Sequence, residues 1–171
     1  MAGRLNMLYR YSVNLTPPPA DPVVKQGHVY SEFVLDLPPA WQAQAHAGDN
    51  TVAFHEPAAD AALIVSVDFI ESGATDLQAL AAEVIARRLA ALPAATPGLW
   101  QTLQQQVRPH RSGAGLELSF AAELPGEQVA LYLGYATPRK LLHFLMLCGP
   151  DRAAAVALFN ATVPQFQPRL P

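Results

Sequence analysis

Five histidines, fourteen carboxylates and one cysteine are the residues of this chain best suited to chemistry, and their spacing decides what kind. His28, His46, His55, His110 and His143 are scattered without the short, fixed intervals of metal ligands. "HE" at 55–56 is followed by "PAAD", so no second histidine stands one helical turn on, and Pro57 would break the helix a zinc protease needs. No serine lies in a G-x-S-x-G elbow. "GAG" at 113–115 precedes a strand instead of following one, which makes it a turn and not a dinucleotide loop. Two carboxylate pairs stand close in sequence, Asp68 with Glu71 and Glu117 with Glu123. Neither has a nearby histidine or arginine to set one acid apart from the other, so both read as solvated strand residues. Asp68 stands out because it interrupts an otherwise apolar strand. Cys148 precedes Gly149-Pro150 and the start of a helix, a position that can lower a thiol's pKa. With no base beside it, the residue reads instead as a small buried hydrophobe.

Composition narrows the field further. The 171 residues fit one domain. The chain is 51% hydrophobic and only 15% charged, against about 25% charged in an average globular chain, which leaves apolar surface for a partner. Net charge is −3 and the longest basic clusters are Arg87-Arg88 and Arg139-Lys140, which argues against nucleic acid. One cysteine allows no intramolecular disulfide and suits a reducing compartment. The opening residues lack the apolar stretch of a secretory signal. The longest apolar runs, "AALIV" at 61–65 and "LLHFLML" at 141–147, fall far short of the ~20 residues that span a bilayer. The expectation is a cytoplasmic protein that is not embedded in a membrane, and the alanine and leucine bias suggests a bacterial one.

The elements that must position these residues follow from periodicity. Residues 1–27 form an arm broken by "TPPPADP", and residues 28–171 form a single domain. From His28, alternation predicts a strand that Pro38-Pro39 must end or hold at an edge. Residues 51–55 and 62–70 predict two more strands, separated by "EPAAD". Residues 72–92 predict a helix, with Thr75 as N-cap and Asp76 in the first turn. Leu77, Leu80, Ala81, Val84, Ile85 and Leu89 form its apolar stripe, and Pro93 ends it. A hairpin at 115–124 and 127–137, a strand at 140–148 and a helix at 149–163 complete the chain, with "QFQPRLP" as a tail. The class is α+β, with a mainly antiparallel sheet and helices packed on it.

The strand rows divide by polarity. Leu63, Val65, Val67 and Phe69, with Leu116, Leu118, Phe120 and Leu124, then Val129, Leu131 and Leu133, then Leu142, Phe144 and Met146, are wholly apolar and predict the core under the long helix. The opposite rows mix Ser66, Asp68, Ser119, Ala121, Tyr132, His143 and Leu145 with aliphatic residues, the pattern of a wet face or a groove. Ser66, Ser119, Tyr132 and His143 would bond polar atoms brought by whatever lies there. Trp41 and Trp100 fall in loops, where each caps an end of the core or lines the groove.

The order of these pieces, with two short motifs, resembles a known family. Leu37, Pro38, Pro39, Ala40, Trp41 and Gln42 match its opening motif of leucine or isoleucine, proline, one or two small residues, tryptophan and glutamine or aspartate. Val163, Pro164, Phe166 and Pro168 match its close, an apolar helix running into a short aromatic and proline tail. Over residues 28–168 the chain resembles the DcrB-like proteins of PsbP-like fold, nearest the Eag-type chaperones, or adaptors, of type VI secretion effectors. The resemblance implies an α/β/α sandwich. It also implies a non-enzymatic homodimer without cofactor, whose sheet-lined grooves hold the apolar, transmembrane-like helices of an effector. The arm at 1–27 is longer than expected of that branch, and the lipoprotein signal of other members is missing. Two other readings stand beside it. One is a regulatory or immunity protein that binds a folded partner through its loops and arm. The other is a small-ligand enzyme, which a deep pocket holding Asp68 and His143 together would favour.

Overall fold

The computed structural model describes residues 32–45, 48, 50–71, 73–93 and 99–170. The arm at 1–27 and the first residues of the strand expected from His28 lie outside them. Chain order runs β1 (Phe33–Leu35), β2 (Gln42–Gln44), β3 (Thr51–Glu56), β4 (Ala61–Phe69), α1 (Leu77–Ala90), β5 (Gln101–Pro109), β6 (Leu116–Leu124), β7 (Gln128–Ala136), β8 (Lys140–Cys148), α2 (Arg152–Thr162) and β9 (Phe166–Pro168). Seven strands make one antiparallel sheet in the order β2-β3-β4-β8-β7-β6-β5. β1 and β9 pair separately as an antiparallel ribbon. The strand that Pro38-Pro39 was expected to end is thus not part of the main sheet, and it stops at Leu35, before the prolines.

Both helices start on an aspartate. The Asp76 carboxylate accepts from the Ala79 amide at 2.9 Å, so Asp76 and not Thr75 caps α1. Arg87 and Arg88 occupy its last turn, where the macrodipole favours cations. Asp151 caps α2 in the same way, through the Ala154 amide at 3.0 Å.

Register assigns the rows to faces. Val65 pairs with Phe144, Leu133 with Phe144 and Leu131 with Met146, so the apolar rows of β4, β7 and β8 share one face. That face carries Leu63, Val65, Leu133, Leu142, Phe144 and Met146, all at most 1% exposed, under α2 and the β1–β9 ribbon, not under α1. The long helix lies on the other face. β6 crosses over because Phe120 pairs with Tyr132 and Leu118 with Gly134, which sends Leu116, Leu118 and Phe120 to the α1 side. A single predicted core therefore becomes two, and Phe69, expected within it, is 52% exposed at the end of its strand.

α1 packs chiefly on β6, with further contact to β5 and β7, and reaches β4 through Arg88 and Asp68. Ala81, Val84 and Ile85 close that half of the face against Leu118, Phe120, Ala130 and Tyr132. Trp41 is 8% exposed and belongs to the opposite core with Leu35 and Phe166, so it closes the end of that core. Trp100 precedes β5 and donates its indole N–H to the Pro93 carbonyl at 3.0 Å.

Candidate functional site

The half of the second face that α1 leaves uncovered is the candidate site. Its floor is set by register. Ile64 pairs with Leu145 and Ala53, Ala62 with Leu147 and His55, and Ser66 with His143 and Thr51. Ile64, Leu145, Leu147, Ala62, Ala53, Thr51 and His55 are all half-buried, whereas a covered sheet would bury them. Gln42 and Gln44 on β2 are exposed at the outer rim. The floor is aliphatic along β4 and β8 and polar at both margins. Four strands at about 4.8 Å spacing span ~14 Å, the width of one α-helix with its side chains, which is about 10–12 Å. Within the same sheet, α1 shows that a helix sits on this face.

A chain of four polar side chains marks the boundary between the covered and open halves. The Tyr132 hydroxyl lies 2.8 Å from His143 Nδ1, His143 Nε2 lies 3.0 Å from Asp68 Oδ2, and an Arg88 guanidinium nitrogen lies 3.3 Å from the same oxygen. Asp68 is flanked by a cation and can only accept, so His143 donates from Nε2 and accepts the Tyr132 hydroxyl at Nδ1. The His143 hydrogen bond holds the Asp68 carboxyl below the usual carboxylate range, and the nearby guanidinium of Arg88 adds to this. Burial lowers the His143 pKa and keeps the ring neutral at pH 7, although Asp68 opposes the shift. Burial also pushes the Tyr132 phenol well above its ordinary value. The chain joins β7, β8, β4 and α1, and only its Asp68–Arg88 end meets solvent, with the Asp68 side chain 55% exposed.

The residues expected to line one groove divide between the two faces. Ser66, Asp68, Tyr132, His143 and Leu145 come together on the α1 side. Ser119 and Ala121 pair with Leu133 and Leu131 and therefore face the other core, and Trp41 belongs to that core too. Of the expected set, only Asp68 is exposed and Leu145 half-buried, while Tyr132 and His143 are 1% and 2% exposed. The sequence reading missed the β3 and β2 contributions to the floor. It also missed Arg88, whose place on a helix carries no signal of a strand carboxylate 20 residues away. Glu117 and Glu123 do have charged partners, supplied across strands and from α2: Arg108 bonds Glu117 at 2.8 Å, and Arg152 bonds Glu123 at 3.0 Å.

Cys148 opens onto a cleft of about 330 Å³ at the start of α2, lined also by Asp60, Asp151, Ala155 and Leu158. Burial pushes its thiol up to about 11, the reverse of what an activated thiolate requires. Among the described residues, no group of three or more histidine, cysteine or carboxylate side chains could hold a metal ion. No helix among them is long and apolar enough to cross a membrane.

No family model matches the chain, and no curated protein matches it either. Solved structures do. The solution structure of cyanobacterial PsbP (CyanoP) from Synechocystis sp. PCC 6803 superposes with a TM-score of 0.61 at 20% identity, covering 99% of this chain and 98% of that one. A crystal structure from Bacteroides thetaiotaomicron aligns with a TM-score of 0.43 at 12% identity, over 81% of this chain and 46% of the other. Full coverage of CyanoP, the antiparallel sheet and its two helices together identify the fold: the chain is an α+β protein of PsbP-like fold.

Proposed function

We propose that this chain is a non-enzymatic, cytoplasmic binding module that shields an apolar helix of a partner protein on the open half of its sheet. In the sense of its resemblance to Eag-type adaptors, the partner is a type VI secretion effector with transmembrane-like segments, and the module works as a homodimer. One observation carries the reading: among the described residues, no element covers a helix-wide, aliphatic half-face beside α1, floored by the half-buried Ile64, Leu145 and Leu147. An apolar helix in water loses about 25 cal/mol for each Å² it leaves unburied, so such a floor draws one in. Thr51 and the exposed carboxylate of Asp68 stand at the margin to bond polar atoms the helix brings. A catalytic reading of the Tyr132–His143–Asp68 chain meets a physical obstacle. The phenol and imidazole are enclosed beneath α1, where no reacting group could reach them.

The test is co-expression with apolar effector segments and purification through a tag on this chain. Ile64→Asp and Leu145→Asp place a charge on the floor at half-buried positions, so capture is compared per folded molecule. The expected result is a soluble complex with the unaltered chain and at least tenfold weaker capture by the folded fraction of either variant. Equal capture by the variants would move binding off this face. A well-folded chain that captures no apolar segment, but does bind a folded partner, would favour surface recognition through the loops.

A further inference from the structure

The two edges of the main sheet are built differently. β2 is three residues long, and a short edge offers little for another strand to pair with. β5 is nine residues long, and among the described residues it pairs on one side only, with β6. Edge strands are blunted by charge, especially lysine, and by proline, bulges or short length. β5 reads QTLQQQVRP, with no lysine and no carboxylate, and its one charge, Arg108, is already held by Glu117 of β6. Leu99 and Leu103, at its start, are 53% and 40% exposed, two of the three large hydrophobic residues left open among the described residues. A bulge between Thr102 and Gln104 and Pro109 at the end confine regular pairing to Gln104–Arg108.

We propose that this edge is the surface where a second copy of the chain adds its own β5, making one continuous sheet across two molecules. The segment is self-complementary. In an antiparallel pair about a two-fold axis near Gln105 or Gln106, glutamine meets glutamine, Val107 or Arg108, and each side-chain amide both donates and accepts. Arg108 then faces an uncharged residue, never its own copy. The arrangement sets the two α1 helices side by side over the join and leaves both open half-faces at the outer ends. It shares with the proposed function the existence of a homodimer and nothing else.

Sedimentation velocity over a wide concentration range, with hydrogen exchange at residues 104–108, tests this without any partner present. The expected result is a monomer–dimer equilibrium in which β5 amides become protected as the dimer forms. Gln105→Lys with Gln106→Lys puts like charges across either two-fold, and should give a monomer at every concentration with an unchanged melting temperature. Three results would overturn the proposal: a monomer throughout, a dimer whose β5 amides exchange as fast as before, or a dimer that survives both lysines. Protection of β5 that appears only when an apolar segment is added to a monomeric chain would assign the edge to the client instead. Capture by the Ile64→Asp variant is read separately, so failure of the groove and failure of the edge are distinguishable.

Discussion

Tyr132 can lie along its own strand because Gly134 has no Cβ to meet it. A Cβ there would stand 2.2 Å from the Tyr132 hydroxyl oxygen and 2.7 Å from its ring carbon. Laid flat, the ring stacks on Phe120 with centroids 4.7 Å apart and planes 15° apart, and its hydroxyl reaches His143. Gly134→Ala should therefore destabilise the protein by about 1–3 kcal/mol through overpacking, read as a lower urea midpoint. Tyr132→Phe keeps the packing but leaves a buried imidazole nitrogen without its donor, and should cost about 1–3 kcal/mol. A neutral effect would mean that water reaches His143. The pH dependence has a definite sign. The folded pKa of His143 lies below 6.5, so the unfolded chain takes up this proton first and stability falls as pH drops through that value. His110, lowered by burial, acts in the same direction. Asp68, held below 3.8, adds its loss only in stronger acid, as pH falls through its folded value. Urea midpoints between pH 8 and 5 should decline less for His143→Gln than for the unaltered chain, and an identical slope would sink the assignment. At this scale the sequence shows that Asp68 is out of place on its strand. It does not show why, because the partner His143 is 75 residues away and meets it only through the β4–β8 register.

Elements that alternate or repeat strongly were legible, and elements without an apolar face were not. The hairpin of β6 and β7, the strand β8 and both helices appear within a few residues of where periodicity puts them. β5 went unread because its outer residues are glutamine and threonine, exposed on an edge that demands no apolar alternation. β9 falls in the stretch expected as a tail, because three residues with a proline show no strand period until β1 pairs with them. The grouping of β6 with the wrong face has a similar cause, since side chains alternate with period two and only the turn at 125–127 decides the register. Helix starts are a finer case. Thr75 and Asp76 are both good caps, but the bond to the Ala79 amide comes from Asp76. Asp76→Ala should cost about 1 kcal/mol in thermal or urea unfolding, while Thr75→Ala should change little. The reverse order would place the start of α1 one residue earlier than described.

At the scale of the whole molecule, the two faces of the sheet are closed to different extents. The first is closed by parts of the chain that are far apart in sequence: β1 near residue 33 pairs with β9 near residue 168. Phe166 is fully buried, with ring centroids 5.5 Å from Phe33 and 5.4 Å from Phe144. Polar bonds fasten the same junction. The Arg169 amide donates to the Glu32 carbonyl at 2.7 Å, and Lys140 donates to the Arg169 carbonyl at 2.6 Å and to the Glu32 carboxylate. The second face holds the open floor, with the thickness of the sheet between it and this ribbon. Stability and binding should accordingly separate. Phe166→Ala leaves a cavity among Phe33, Tyr135 and Phe144 and should cost about 3–5 kcal/mol. A chain ending at Gln165 should lose more, because β1 then has no partner and Phe33 no cover. Under the proposed function, both should, below their melting temperatures, match the full chain's capture of an apolar helix per folded molecule. The check is a denaturation curve beside a binding isotherm corrected for the folded fraction. If truncation weakened capture in the folded fraction, the ribbon would be shaping the opposite face through the sheet, and the two faces would have to be treated as one coupled unit.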